Sequence, residues 1–287
     1  MPNDAPTAVL FPGQGSQEPG MRDLVAAEAP ELLDRCVELV GEDPFARVAD
    51  STRFAQPAIF SASVAGWRRA ADHLDLPVAV AGHSLGEFAA LVAAGAIDAL
   101  DALELVVLRG RLMADSGERA GGGTMLALLG VSDDDAARLA AAHGVFVANE
   151  NAPGQVVLSG ATDGIAAAAE AARADGLRAM ELGVAGAFHS PQMDAAVAPF
   201  AAALDRATFR APAVPVVSCS TAETMTDPRR DLADGLTRPV RWTATMRALT
   251  ERGARRFFDA GPGQVLAKLA KRTAPGAEIA RLELARA

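Results

Sequence analysis

The chain has 287 residues, of which 50% are hydrophobic, and carries a formal net charge of −9. This acidic balance argues against a general nucleic-acid binder, since such proteins attract phosphates with excess basic charge. No apolar run approaches the ~20 residues that span a bilayer and the N-terminus lacks signal-peptide character, so we expect a soluble protein without a membrane partner. Cys36 and Cys219 lack metal-ligand spacing, which predicts reduced core thiols and a cytoplasmic protein.

Strand and helix patterns alternate through the first 120 residues. The predicted elements are a strand at 7–11, helices at 17–41 and 57–74, a strand at 77–82, a helix after Ser84 and a long helix at 98–117. Such alternation is typical of a parallel sheet with helices on both faces.

The pattern changes to βαββαβ after residue 123. The predicted elements are a strand at 124–130, a helix at 133–144, strands at 145–150 and 154–160, a helix at 162–176 and a strand at 177–183. This order is the ferredoxin-like arrangement, so we expect an inserted ferredoxin-like subdomain at 124–184.

The alternation then resumes. It predicts a helix at 190–209, a strand at 214–219, a helix at 241–253, a strand at 255–261 and a helix at 263–273. The predicted fold is therefore α/β, with a discontinuous hydrolase-like parallel-sheet main domain at 1–123 and 185–287.

The pentapeptide Gly82-His83-Ser84-Leu85-Gly86 lies between a predicted strand and a predicted helix. This is the setting of a nucleophile elbow, in which small flanking residues let the backbone turn sharply and project the serine outward. The N-terminus of the following helix can stabilise a developing oxyanion. The alternative is an ordinary loop in which the serine caps the helix.

A serine nucleophile needs a base, and the chain has four histidines. His73 and His143 end predicted helices, where structural roles suffice. His83 adjoins Ser84, but neighbouring side chains at a strand end point apart. His189 follows the serine in chain order, as the base does in hydrolases of this architecture, and is the candidate base, although a lone histidine is usually structural.

Eight motifs occur in an order that one known family shares, nearly from end to end. They are FPGQGSQ at 11–17, GHSLGE at 82–87, VVLRG at 106–110, GGGTMLALLG at 121–130, ANENAPGQVVLSG at 148–160, GAFHSPQM at 186–193, RPVRW at 238–242 and DAGPGQVLAKLAKR at 259–272. Together they resemble the malonyl-CoA:acyl carrier protein transacylases, which load malonyl units in fatty acid and polyketide synthesis.

The resemblance implies roles for individual residues. Ser84 would take malonyl from coenzyme A as an ester, which splits the transfer into two easier steps. His189 would be its base, held by a main-chain carbonyl in place of the usual carboxylate. The backbone amides of Leu85 and Gln14 would form the oxyanion hole.

Arg109 matches the family residue that pairs with the free carboxylate of malonyl, a task that suits the bidentate fork of a guanidinium. Taken alone, it stands on an otherwise apolar helix, where a salt bridge or a snorkelling stem would serve as well. Met113, one helical turn later, is a candidate pocket residue, with core packing as the alternative. Phe188 matches a position that accompanies malonyl in preference to a branched extender. Many members of the family have a glutamine where this chain has Gly235. A glycine still supplies the main-chain carbonyl that would orient His189, but it predicts a looser loop.

The segment from Thr237 to Arg272 is strongly basic. It holds nine Lys or Arg residues against two acidic ones, which leaves the rest of the chain at −16, because −9 minus +7 is −16. Acyl carrier proteins are usually acidic, so a docking patch is one interpretation and a solvated helix face is the other. The candidate docking residues are Arg255, Arg256, Lys268 and Lys271.

The resulting prediction is a serine acyltransferase that moves malonyl from malonyl-CoA to the phosphopantetheine thiol of holo-acyl carrier protein. No metal or redox cofactor is expected, because the coenzyme A thioester is itself the activated substrate. One alternative is a hydrolase, since the same dyad can deliver an acyl group to water. Another is a catalytically silent subunit that docks carrier proteins.

Overall fold

Two sheets and their surrounding helices make up the computed structural model, which describes residues 5–184 and 186–284. The first elements are β1 (Thr7–Phe11), α1 (Met21–Glu28), α2 (Pro30–Val40), α3 (Thr52–Ala71), β2 (Ala79–Gly82), α4 (Gly86–Ala93) and α5 (Ala99–Arg119). There follow β3 (Thr124–Leu129), α6 (Asp133–His143), β4 (Phe146–Ala152), β5 (Gln155–Gly160), α7 (Thr162–Ala174) and β6 (Arg178–Leu182). The last are α8 (Asp194–Leu204), β7 (Val216–Val217), α9 (Pro228–Asp234), α10 (Trp242–Glu251), β8 (Arg256–Asp259), α11 (Val265–Thr273) and β9 (Glu278–Arg281).

The larger sheet is parallel throughout and has the strand order β7-β2-β1-β8-β9. Alternate residues of β1 enter different cores: Val9 and Phe11 pack with α1, α3, α4 and α5, whereas Ala8 and Leu10 pack with α10 and α11. A strand buried on both faces needs an apolar run without polar alternation, which TAVLF supplies. The predicted parallel sheet with helices on both faces is confirmed.

The smaller sheet is antiparallel and has the strand order β4-β5-β3-β6. Leu126 and Leu128 of β3 pack with α6 and α7 in a core of their own, whereas Met125 and Ala127 face the main core. The chain order βαββαβ and this strand order are those of a ferredoxin-like unit. The predicted fold class is therefore confirmed, while the domain division at 124–184 stays a prediction.

Several predicted helices have different bounds. The helix expected over 17–41 is two helices, because Pro30 disfavours helical backbone at Ala29, where φ is −151° and ψ is 55°. Helix α3 begins at Thr52 instead of Pro57, because the Ser51 hydroxyl caps it by accepting from the Arg53 N–H.

Other elements differ more. The helix expected over 190–209 is a 3-10 turn at Pro191–Met193 followed by α8. Helix α9 and strand β9 were not predicted, and a further 3-10 turn lies at Pro44–Arg47. Among the described helices, none combines the length and the apolar character that a bilayer crossing requires.

Candidate active site

Ser84 occupies a strained turn between β2 and α4, with φ at +51°. The turn is tight: a Cβ on Gly82 would lie 1.9 Å from the carbonyl carbon of Gly86, and one on Gly86 would lie 2.0 Å from the Phe11 carbonyl oxygen. Left-handed backbone at a non-glycine residue costs about 1–3 kcal/mol and persists only where the surroundings hold it. The backbone therefore has the form of the predicted nucleophile elbow.

His189 lies against Ser84, and its own backbone is left-handed, with φ at +57°. Its Nε2 is 2.8 Å from Ser84 Oγ, and its Nδ1 is 2.9 Å from the Gly235 carbonyl and 3.0 Å from the Arg238 carbonyl. Carbonyl oxygens only accept hydrogen bonds, so Nδ1 carries the proton and Nε2 presents its lone pair to the serine. Two main-chain carbonyls thus do the orienting that a carboxylate does in a triad.

The imidazole of His189 is buried, and burial is the largest cause that lowers its pKa, to about 3. The positive charge of Arg109 lowers the pKa further, and the two carbonyl contacts oppose the shift. The ring is therefore neutral at pH 7, the form in which a general base accepts a proton.

Arg109 reaches the same serine from α5. It is 4% exposed, and its Nη2 donates to Ser84 Oγ at 3.0 Å while Nη1 donates to Gln56 Oε1 at 2.7 Å. Burial lowers its pKa to about 10, with the charge of Glu87 opposing the shift, so it remains a cation at pH 7. A buried cation whose hydrogen-bond partners are neutral is a site for an anionic group.

Gln56 belongs to a short chain of buried hydrogen bonds that sequence reasoning missed. Its Nε2 donates to Thr52 Oγ1 at 2.8 Å, and that hydroxyl donates to Gln14 Oε1 at 2.8 Å. The same Nε2 lies 3.2 Å from the sulfur of Met113, which is buried. The available signal was a glutamine in the otherwise apolar run FAQPAIF of α3. Arg109 and the Gln14 loop are thereby joined through α3.

Leu85 and Gln14, whose backbone amides are the predicted oxyanion hole, line one cavity together with Ser84. Leu85 precedes the first residue of α4, and Gln14 follows Gly13, where a Cβ would lie 2.6 Å from the His83 carbonyl oxygen. The Gln14 loop therefore approaches the elbow closely. Within residues 5–184 and 186–284, neither amide donates to a protein acceptor, which leaves both for an oxyanion.

One cavity of about 320 Å³ contains all of the predicted site residues. They are Gln14, Ser84, Leu85, Arg109, Met113, Phe188 and His189. Strand β4 and helix α11 also line the cavity, through Asn149, Asn151, Val265, Leu266 and Leu269. The cavity therefore lies between the parallel sheet and the antiparallel sheet, as a cleft that an elongated substrate can enter.

The side chain of His83 is directed away from the serine. Its Nε2 is 2.9 Å from Asn151 Oδ1 and 3.4 Å from Asn149 Nδ2. Burial lowers its pKa, with the Asn151 contact opposing the shift. The expectation that neighbouring side chains point apart agrees with this geometry. Asn149 also presents a buried Oδ1 that has no partner among the described residues.

Phe188 is buried at the cavity wall beside His189. Its ring packs on Gly186, whose φ is +156° and on which a Cβ would lie 2.5 Å from Phe188 Cε1. Glycine at 186 therefore sets how close the ring can approach the chain. The ring lines the cavity next to His189.

Cys219 is a free buried thiol, as expected of a reduced core cysteine. Cys219 contacts the elbow directly. Its Sγ accepts a hydrogen bond from the Ser84 N–H at 3.3 Å, and its own N–H donates to Glu87 Oε1 at 2.8 Å. Sequence reasoning assigned neither residue to the site. The signal for Glu87 was an acidic residue in the first turn of the otherwise apolar helix α4.

The candidate docking residues have different surroundings. Arg255, Lys268 and Lys271 are exposed, and Lys268 shares α11 with the cavity-lining residue Val265. The Arg256 side chain is instead 19% exposed and lies 3.2 Å from a carboxylate oxygen of Glu278. The two residues face each other in the β8–β9 ladder, which is why the charge is matched inside the chain.

Comparison with known proteins identifies relatives over nearly the whole chain. Residues 9–285 match the family described as acyl transferase domain. The malonyl CoA-acyl carrier protein transacylase of Salmonella typhimurium is 37% identical over 284 residues, 92% of this chain and 92% of that protein. The polyketide biosynthesis malonyl CoA-acyl carrier protein transacylase PksC of Bacillus subtilis is 35% identical, covering 94% and 97%. The chain spans only 24% of the length of the polyketide biosynthesis protein ThaF of Burkholderia thailandensis, at 38% identity.

Solved structures agree with these relatives. The malonyl-CoA:acyl carrier protein transacylase of Xanthomonas oryzae pv. oryzae superimposes with a TM-score of 0.90 at 34% identity, covering 97% of this chain and 95% of that one. The malonyl-transacylase of the complex PlMCAT:AntF (holo), which contains a type II polyketide synthase acyl-carrier protein, gives a TM-score of 0.88 at 34% identity and covers 96% of each chain.

Proposed function

The chain belongs to the acyl transferase family that includes the malonyl-CoA:acyl carrier protein transacylases, and we propose that it transfers malonyl through an ester on Ser84. The donor is malonyl-CoA, and the acceptor is the phosphopantetheine thiol of holo-acyl carrier protein in fatty acid or polyketide synthesis. The observation that carries the proposal is the convergence of three side chains. Ser84 Oγ lies 2.8 Å from Nε2 of the neutral His189 imidazole and 3.0 Å from Nη2 of the buried Arg109 guanidinium.

In the first half-reaction, Ser84 Oγ attacks the thioester carbonyl and its proton passes to His189 Nε2. The oxyanion accepts hydrogen bonds from the amides of Leu85 and Gln14. When the tetrahedral intermediate collapses, the C–S bond breaks and the imidazolium returns the proton to the sulfur of coenzyme A. Malonyl remains as an ester on the serine.

In the second half-reaction, the carrier thiol gives its proton to His189 and its sulfur attacks the ester carbonyl. The C–O bond to Ser84 then breaks, and the serine oxygen takes the proton back. One imidazole therefore serves as base and acid in both directions. The reaction needs no metal or redox cofactor, since the thioester is already activated.

Arg109 selects the acyl group. A malonyl carboxylate lies at the far end of a three-carbon chain from the carbonyl that Ser84 attacks, and the guanidinium contacts that same serine. Pairing with a buried cation favours malonyl over acetyl, which has no charge to offer. Phe188 narrows the cavity beside the base and disfavours a branched acyl group.

The carrier protein docks on basic residues beside the cavity mouth. Lys268 and Lys271 are exposed on α11, and Val265 of the same helix lines the cavity. An acidic carrier that binds there would bring its thiol to the mouth of the cavity. Arg255 is also exposed, whereas Arg256 is matched by Glu278. The two buried free thiols fit a reducing compartment such as the cytoplasm.

The proposal is tested by mixing the protein separately with malonyl-CoA, acetyl-CoA and methylmalonyl-CoA and weighing it intact. We expect one malonyl group per chain, located on Ser84 by peptide mapping. Adding holo-acyl carrier protein should discharge the ester onto the carrier faster than water discharges it. Rapid discharge to water in preference to the carrier would instead identify a hydrolase, and a protein that binds the carrier without gaining mass would be a docking subunit.

A further inference from the structure

Glu87 is a buried carboxylate that the proposed reaction does not use. It is 3% exposed and lies in the first turn of α4, three residues after the nucleophile. Its Oε1 accepts the Cys219 N–H at 2.8 Å. Burial raises its pKa to about 7, and the Cys219 N–H and the Arg109 charge oppose the shift. Burying a carboxylate costs free energy, so we infer that Glu87 has a role at this position.

Glu87 is linked to the backbone of Ser84 through Cys219. Cys219 follows β7, the strand that pairs with β2, so it ends beside the elbow. Its thiol accepts the Ser84 N–H at 3.3 Å, and this contact occupies the amide of the residue with the strained φ of +51°. Sulfur is a weak acceptor, so the contact depends on how well the Cys219 backbone is held. Glu87 holds it from one side, and the Arg241 N–H, which donates to the Cys219 carbonyl at 2.7 Å, holds it from the other.

Glu87 also adjoins the segment that orients the base. A Cβ placed on Gly235 would lie 3.9 Å from Glu87 Oε2, and the Gly235 carbonyl accepts a hydrogen bond from His189 Nδ1–H. The carboxylate therefore lies between the chain segments that fix the two reacting side chains. An apolar residue in its place would leave the Cys219 N–H buried without an acceptor.

We propose that Glu87 is a positioning residue that acts through Cys219 to hold Ser84 in its reactive backbone conformation. The inference rests on the role of Ser84 in the proposed function. Glu87 and Cys219 should therefore affect the reactivity of Ser84 and not the recognition of malonyl, because neither residue acts by binding the malonyl carboxylate.

The test measures how fast Ser84 reacts with phenylmethanesulfonyl fluoride, a small serine-directed reagent with no carboxylate, and with malonyl-CoA and acetyl-CoA. The variants are Glu87→Ala, Glu87→Gln, Cys219→Ala, Cys219→Ser and the double alanine variant. Cys36→Ala is the matched control, since Cys36 is the other buried free thiol and lies on α2. Thermal unfolding of each variant separates loss of the fold from loss of reactivity.

We expect Glu87→Ala and Cys219→Ala each to slow all three reactions by about tenfold or more, which corresponds to roughly 1.4 kcal/mol for the lost hydrogen bond. The double variant should be hardly slower than either single one, because both act through one contact. Glu87→Gln and Cys219→Ser keep an acceptor and should stay within about threefold of the wild type. If Glu87→Ala does not fold, the Cys219 pair and Glu87→Gln still decide the result.

Folded alanine variants that react at the wild-type rate would overturn the inference, as would losses confined to malonyl-CoA, which would mean that Glu87 acts on Arg109. Equal slowing in Cys36→Ala would reduce the effect to general destabilisation and also overturn it. Slower sulfonylation of Ser84 in the alanine variants of a protein that transfers no malonyl would support the positioning role and sink the proposed function. A wild-type Ser84 inert both to the reagent and to malonyl-CoA would sink both.

Discussion

Arg109 Nη2 donates a hydrogen bond to Ser84 Oγ at 3.0 Å, so the cation that we propose selects the acyl group contacts the oxygen that we propose attacks it. His189 Nε2 approaches the same oxygen at 2.8 Å. A hydroxyl has one proton to donate and two lone pairs, so Ser84 can donate to the imidazole while it accepts from the guanidinium. In the proposed mechanism, the nucleophile, the base and the selectivity residue therefore meet at one oxygen atom.

Ser84→Ala should abolish formation of the malonyl-enzyme while leaving thermal unfolding nearly unchanged, because the substitution removes only the hydroxyl. Intact mass spectrometry after mixing with malonyl-CoA checks the first part, and circular dichroism checks the second. Malonyl appearing on another residue at the wild-type rate would refute the assignment of the nucleophile.

His189→Ala should slow both acylation by malonyl-CoA and discharge to the carrier by about 10²–10⁴-fold, the usual contribution of a general acid–base. Rapid-quench measurement of the two half-reactions separates them. His83→Ala serves as the comparison, since His83 contacts Asn151 and not the serine. A much larger loss in His83→Ala than in His189→Ala would identify His83 as the base instead.

The pH dependence of stability should show the buried imidazole. In the folded protein the pKa of His189 is lowered from 6.5 to about 3, with burial as the largest cause. Between these values the unfolded chain binds a proton that the native protein does not, so the free energy of unfolding should fall as pH drops from about 6.5 towards about 3. Urea titrations at several pH values measure this slope.

His189→Gln should flatten that slope, because it removes the titrating group. Part of the slope should remain, since burial also lowers the pKa of His83. An identical slope in the wild type and in His189→Gln would show that the imidazole of His189 titrates normally in the folded protein.

The elbow and the family could be predicted because their signals are local. Gly82, Ser84 and Gly86 define the turn within five residues, and the eight motifs identify a family that the comparisons confirm. The contacts of Gln56, Glu87 and Cys219 could not be predicted, since each joins segments far apart in the chain and depends on the sheet order.

The errors in the fold have equally physical causes. The pattern of apolar residues runs smoothly through α1 and α2, and only the effect of Pro30 on Ala29 divides them. The ion pair of Arg256, a candidate docking residue, could not be predicted because its partner Glu278 lies in β9, a strand that the sequence pattern did not indicate. The division of the chain into two domains stays a prediction.

Reversing the charge of Lys268, Lys271 and Arg255 to Glu should weaken use of the carrier protein more than use of a small thiol acceptor. The difference should shrink as salt is added, because surface attraction between protein partners is screened. Arg111→Glu is the matched control, an exposed arginine on α5 two residues from the inward-facing Arg109. Equal losses for the carrier and the small thiol would remove the docking proposal.

Replacing Arg109 by alanine should invert the selectivity of the enzyme. It would leave the malonyl carboxylate buried without its cation, a penalty of about 3–5 kcal/mol or a loss of several hundredfold or more in kcat/KM. Acetyl has no charge to lose and no longer meets an unpaired guanidinium, so acetyl transfer should hold steady or rise. Removing the cation also removes the second-largest cause that lowers the pKa of His189. That pKa should therefore rise, and the imidazole should become protonated at a higher pH than in the wild type.

Arg109→Lys provides the matched comparison. It keeps the positive charge but replaces the planar fork by a single ammonium, so malonyl transfer should recover only in part. The Gln56 carbonyl, which now accepts from Nη1 at 2.7 Å, would compete with the substrate for the shorter side chain. Steady-state kcat/KM for malonyl-CoA and acetyl-CoA on both variants checks the prediction. Parallel losses for the two thioesters would show that Arg109 supports the fold and that another group sets the selectivity.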